Sequence, residues 1–150
     1  MTTPTLFSDV ASIATVSKSE PQGVIAQKFE LSLPVSTAAD TLCGVVRFQK
    51  GFTLTGLSIV ATDMDAGTDL LLDVGYVYDS ASFTDDDDAI IDGSDIGQDA
   101  GSVVWPIADG LLTGASFTAE GDGYLSITTR ANAVETAGTV TGIATFTYNV

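Results

Sequence analysis

Along residues 51–79, GFTLTGLSIVATDMDAGTDLLLDVGYVYD, apolar positions gather in two runs split by an acidic stretch. Phe52, Leu54, Leu57, Ile59 and Val60 make the first run; Leu70, Leu71, Leu72, Val74, Tyr76 and Val77 make the second. The second has a period close to two, with Leu70, Leu72, Val74 and Tyr76 on one face and Leu71, Asp73, Gly75 and Val77 on the other. That period, with β-branched and aromatic side chains, predicts a strand. Between the runs, TDMDAGTD suits a reversal, because Asp bonds its own backbone and Gly67 admits positive φ. A long central hairpin is expected, buried by other strands.

Similar patterns flank it. VIAQKFELSL alternates over Phe29, Leu31 and Leu33 and stops at Pro34; TLCGVVRFQ is a further strand, with Lys50 and Gly51 turning into the hairpin. SVVWP, the stretch ending at Phe117, YLSITTRA and TVTGIATFTYNV read as later strands, the last with Val140, Ile143, Phe146 and Tyr148 as apolar positions. The pattern breaks over SASFTDDDDAIIDGSDIGQDAG. There Asp85 to Asp88 precede Ile90 and Ile91, and carboxylates suit a helix N-terminus, so one short helix is expected near Asp87–Ile96. About eight short strands and one helix predict an all-β single domain, a β-sandwich or jelly-roll-like fold over residues 24–150.

Residues 1–23 stand apart. Leu6, Phe7, Val10, Ile13 and Val16 are loosely spaced among Ser and Thr, and Pro21 with Gly23 closes the segment like a linker. Two readings fit: a solvated tail, or an extended arm that orders on a partner through those five side chains. The sequence does not choose between them.

Composition narrows the function by exclusion. At 150 residues, 45% of them hydrophobic, the chain can bury a core without disulfide or metal. Five Lys and Arg against twenty Asp and Glu give a formal charge of −15, which repels phosphate backbones and anionic lipid. Nucleic acid and membrane are therefore not expected as partners. No apolar run is long enough to span a bilayer, and no cationic stretch precedes an apolar one. Action in a cytoplasm, or release without a signal peptide, is the expectation. The lone Cys43 lies in an apolar run and reads as a buried, inert thiol.

Chemistry is sparse. With no His, the Ser-His-Asp and Cys-His arrangements and His-ligated metal sites drop out, and no phosphate-binding glycine loop occurs. Carboxylates alone could serve a glycosidase, but one Trp and four Tyr offer few platforms for sugar, so no enzymatic activity and no cofactor are expected. Two acidic groups could take a cation. Asp63, Asp65 and Asp69 have the odd-position spacing of a calcium loop without the later bidentate Glu, and a plain turn is favoured. Asp85 to Asp88 with Asp92 are the other group, for which helix capping is favoured.

The segment K-G-x-x-L-T-G-x-x-I-x-x-T-D-x-D-x-G, carried by Lys50, Gly51, Leu54, Thr55, Gly56, Ile59, Thr62, Asp63, Asp65 and Gly67, continues into L-D-V-G-Y at Leu72–Tyr76. Together with residues 110–140, GLLTGASFTAEGDGYLSITTRANAVETAGTV, it resembles the capsid decoration (cement) proteins of tailed bacteriophages. The resemblance implies an all-β, non-enzymatic virion protein on the outer capsid surface. It implies the major capsid protein as partner and self-association, as a homotrimer. Another head or tail component, or a calcium- or carbohydrate-binding β-sandwich module, are the alternatives.

Overall fold

The computed structural model describes residues 6–7, 22–105 and 117–149. Among these the chain forms β1 (Leu6–Phe7), β2 (Gln22–Leu33), β3 (Leu42–Phe48), β4 (Phe52–Ala61) and β5 (Leu71–Tyr78). It continues with β6 (Asp86–Ser94), β7 (Ser102–Trp105), β8 (Phe117–Thr118), β9 (Gly123–Arg130) and β10 (Gly138–Asn149). Two sheets face each other as a β-sandwich. Sheet I has the order β1-β3-β9-β5-β6; sheet II has the order β2-β10-β4-β7, with β8 also on β4. Apart from the parallel β1–β3 pair, the ladders are antiparallel.

The apolar alternation builds the core. Phe29, Leu31 and Leu33 of β2 point inward, as do Val140, Ala144, Phe146 and Tyr148 of β10. Opposite them lie Leu72 and Val74 of β5 and Leu125 and Ile127 of β9. Leu54 and Leu57 are an odd number of positions apart and both are buried. A bulge explains this: β10 pairs Thr145 with Gly56 and the next residue, Phe146, with Leu54, so Thr55 is the extra residue. Aromatic rings close one end, with Phe48 edge-on to Tyr78 and Phe117 at centroid distances of 5.9 and 5.3 Å.

Three sequence expectations are corrected. The runs at β4 and β5 do not form a hairpin, because β4 lies in sheet II and β5 in sheet I; the acidic stretch between them crosses from sheet to sheet. The adjacent-strand hairpin is instead β5–β6. Nor does Gly67 take positive φ; among the described glycines only Gly51 (84°) and Gly93 (69°) do, and Gly51 makes the expected turn out of β3. Finally, the helix near Asp87–Ile96 is absent: residues 86–94 are the edge strand β6, and the described residues contain no helix.

The Asp run misled because charges suit an exposed edge strand as well as a helix N-terminus. β6 is also strongly bulged. Tyr76 pairs with Asp86 and Val74 with Ile91, so the four residues Asp87–Ile90 oppose Gly75 alone. Glycine is needed there, since a Cβ on Gly75 would overlap the backbone carbonyl of Asp86. The outer side of sheet I is buried as well as its inner one: Val77, Ser126 and Thr128 alternate with core residues yet are buried.

Candidate functional site

The acidic stretch after β4 is a tightly bonded crossing. Met64 is fully buried; its N–H donates to the Gly97 carbonyl at 2.8 Å, and its own carbonyl accepts from Glu135 and Thr136. Asp65 is buried beside it. One carboxylate oxygen accepts from the Gly67 N–H at 3.0 Å; the other accepts from the N–H groups of Asp69 (2.9 Å) and Leu70 (2.7 Å). Asp63 accepts from the Asp65 N–H at 3.2 Å, and Glu135 from that of Ala66 at 3.1 Å. The N–H of Leu70, then that of Gly67, hold the Asp65 carboxyl below its ordinary pKa.

The spacing of Asp63, Asp65 and Asp69 thus serves nested turns. A cation beside Asp65 would face backbone donors, whereas calcium requires a shell of oxygen acceptors. Asp63 and Asp69 are exposed. Among the described residues no group of three acidic or thiol side chains is arranged to hold a metal ion.

The second acidic group clamps β6 to the sheet. Asp85 accepts from the Tyr78 N–H at 2.7 Å, and Asp87 accepts from Arg130 Nη2 at 3.0 Å. Arg130 also donates through Nε to the buried Asp73 (2.5 Å) and through Nη1 to Asp40 (2.9 Å). These carboxylates, Asp73 first, raise the Arg130 pKa. Asp73 in turn accepts from the Gly93 N–H at 2.7 Å, which ties the far end of β6. Asp86 has its pKa raised, first by desolvation and then by Asp88. On the neighbouring strands, Arg47 donates to Asp79 at 2.5 Å and to the Tyr124 hydroxyl at 2.8 Å. Sequence reasoning missed the Arg130 cluster, whose members are up to 90 positions apart.

Of the arm residues, Leu6 and Phe7 form β1, paired in parallel with Cys43 and Gly44 at the edge of sheet I. Val10, Ile13 and Val16 lie outside the described residues. Cys43 is buried, and desolvation pushes its thiol pKa up to about 12.

Also missed was the outer face of sheet II. β10 turns Thr139, Thr141, Ile143, Thr145 and Thr147 outward, so Ile143, one of the apolar positions read along this strand, is 48% exposed. In register with it stand Lys28 of β2 and Ser58 of β4, and Val104 of β7 lies opposite Ser58. Val24 and Val60 are exposed on the same side. The alternation TVTGIATFT held the signal, but Gly142 and Ala144 on the inner face hid its phase.

No family model matches the chain, and no curated protein does. Solved structures define the class of fold: a single-domain sandwich found in chains of phage capsids. A chain of the capsid of Ralstonia phage GP4 is 18% identical, with a TM-score of 0.68 over 96% of this chain and 97% of that one. One from the cyanophage Pam1 capsid asymmetric unit is 17% identical, with a TM-score of 0.65 over 92% and 94%. A third, from the acidic stable capsid structure of Helicobacter pylori bacteriophage KHP30, is 10% identical, with a TM-score of 0.53 over 83% and 92%. At such identities the likeness is one of fold.

Proposed function

We propose that this chain is a structural protein of a tailed-phage head, a decoration protein that binds the outer capsid surface and stabilises the shell. The supporting observation is the two-way coverage of the matches: 96% of this chain against 97% of the GP4 capsid chain, and 92% against 94% for Pam1. Those chains are therefore close to this one in length, and the sandwich accounts for almost all of each. The mechanism is clamping. A protomer that buries surface across neighbouring capsid subunits must be detached before the shell expands or bursts. The bonded crossings and clamped acidic strands supply rigidity for that role, and no chemistry is required. The resemblance in sequence favours a homotrimer with the major capsid protein as partner.

Attachment is assigned to residues 1–23, read from the sequence as an arm before a body of residues 24–150, with Leu6, Phe7, Val10, Ile13 and Val16 as its contacts; its last two residues, Gln22 and Gly23, already pair with β10. The test is co-sedimentation with capsids lacking the protein, comparing the full chain with one starting at Gln22. The expected result is binding by the full chain and much weaker binding by the shortened one, with similar melts. No binding by the full chain would refute the decoration role. Equal binding by both would refute the arm.

A further inference from the structure

We infer that the outer face of sheet II is where copies of this chain meet each other. The strands of sheet II are nearly free of charge: β4, β7, β8 and β10 contain no Asp, Glu, Lys or Arg, and β2 contains only Lys28 and Glu30. Those two have opposite signs, so the face is neutral on a chain whose formal charge is −15. Sheet I holds Arg47, Asp73, Arg130 and the acidic β6 in its strands.

This separation selects the occupant. Two bodies that each carry strong negative charge repel wherever acidic surfaces come together, and like-charge juxtaposition at an interface costs several kcal/mol, so self-association needs a neutral patch. Sheet II supplies one. Its partner sheet lies about 10 Å behind it, so the acidic groups of sheet I stay away from a contact made on sheet II. Copies turning their sheet II faces toward a common axis would hold their acidic sheets outward. The face is also open, since Val60 is 56%, Ile143 48% and Val104 45% exposed. β2 and β10 hold 12 residues each, β4 holds 10 and β7 holds 4; at about 3.3 Å per residue and about 4.8 Å between strands they cover roughly 600 Å². That approaches the roughly 800 Å² per partner of a standard interface.

The inference adds a surface to the homo-oligomer proposed above but does not depend on capsid binding. It is tested by light scattering and sedimentation of the free protein at tens of micromolar, beside thermal melts. The wild type should be larger than a monomer. Ile143→Glu with Val60→Glu should weaken association roughly a hundredfold or more while the melt stays cooperative. Val104→Glu on β7 is the second variant, should the first fail to fold, and Asp92→Asn on β6 should leave the mass unchanged. A monomeric wild type, or folded variants that keep the wild-type mass, would overturn the inference. Capsid co-sedimentation separates the two readings. A wild type that associates through this face without binding capsids would defeat the head assignment and leave this inference standing. Loss of capsid binding by the face variants from a wild type already monomeric would make the shell the occupant and overturn it.

Discussion

Leu72→Ala tests the core register directly. Leu72 is 1% exposed on β5, between β9 and β6. It lines a crevice with Ile59, Ile91, Ile96, Ile127 and Val140 that is too narrow to admit a water molecule. Truncation removes the equivalent of about three methylenes, a transfer loss of roughly 2 kcal/mol. The branched neighbours sit on strands of both sheets and cannot all move inward, so a cavity persists and adds about 1–2 kcal/mol. The expected cost is therefore about 3–4 kcal/mol, a fall in melting temperature of roughly 6–16 °C for a domain of this size. Circular dichroism melts and urea titrations with an unchanged slope would measure it. The internal control is Leu71→Ala, half-buried on the opposite side of the strand, which should cost under about 1 kcal/mol. If the two variants cost the same, or their order reverses, the strand is placed one residue out of register and the packing argument fails.

Other expectations follow from the polar contacts. Arg130→Met should cost about 2–4 kcal/mol by urea titration, because Asp73 stays buried and loses its charged partner while the Gly93 N–H still donates to it; Asp73→Asn added to it should recover part of the loss. Asp65 and Asp86 should act on acid stability with opposite signs. The Asp65 carboxyl is lowered in the fold, so its contribution is complete above the ordinary carboxylate range near pH 4 and is lost as pH falls through the folded value; Asp65→Asn should lower the melting temperature at pH 7 and flatten the acid limb. The Asp86 carboxyl is raised, so its favourable contribution exists below the ordinary range and disappears as pH rises through the folded value; Asp86→Asn should raise the melting temperature at pH 7, with no gain near pH 3. Melts from pH 3 to 7 that move both variants the same way would contradict the assigned contacts. Cys43 should react with a thiol reagent at pH 8 only through unfolding, so labelling should accelerate in urea in step with loss of structure.

Much of the fold was legible because strands write themselves as period two. Phe29, Leu31 and Leu33, or Leu72 and Val74, needed nothing beyond alternation. What alternation does not carry is the partner of each strand. An acidic turn between two apolar runs reads the same whether the chain folds back beside itself or crosses to the facing sheet, and here it crosses. Bulges hide phase in the same way, as at Thr55 in β4 and in the four residues opposite Gly75. The candidate metal spacing was ambiguous for a related reason. Alternate Asp residues can point oxygens at a cation or at the N–H groups of their own turn, and only the backbone path decides. Asp65 points at its turn. The Arg130 cluster was beyond reach, because Asp73 and Arg130 become neighbours only through the pairing of Leu72 with Thr129 and Asp73 with Thr128.

One feature of the sequence did anticipate the third dimension without its use being obvious. Charge content sorts the long strands by sheet. GTVTGIATFTYN and FTLTGLSIVA carry no Asp, Glu, Lys or Arg, and they lie side by side as β10 and β4. The strands with Arg47, Asp73, Arg130 and the Asp run lie together in the other sheet. A core needs neither arrangement, since inward positions are apolar in both sheets and outward Thr or Asp is equally soluble. Scattering twenty acids evenly would have lowered their mutual repulsion. Among the described residues every acid but Glu30 lies in sheet I or in a loop, an arrangement that keeps that repulsion and leaves a flat, β-branched, neutral face free of it. The cost of crowding the acids is partly offset within sheet I by Arg130 and Arg47, each placed against carboxylates. That division gives the molecule a side that repels its own copies and a side that does not, so the orientation in which copies approach is set before any contact forms.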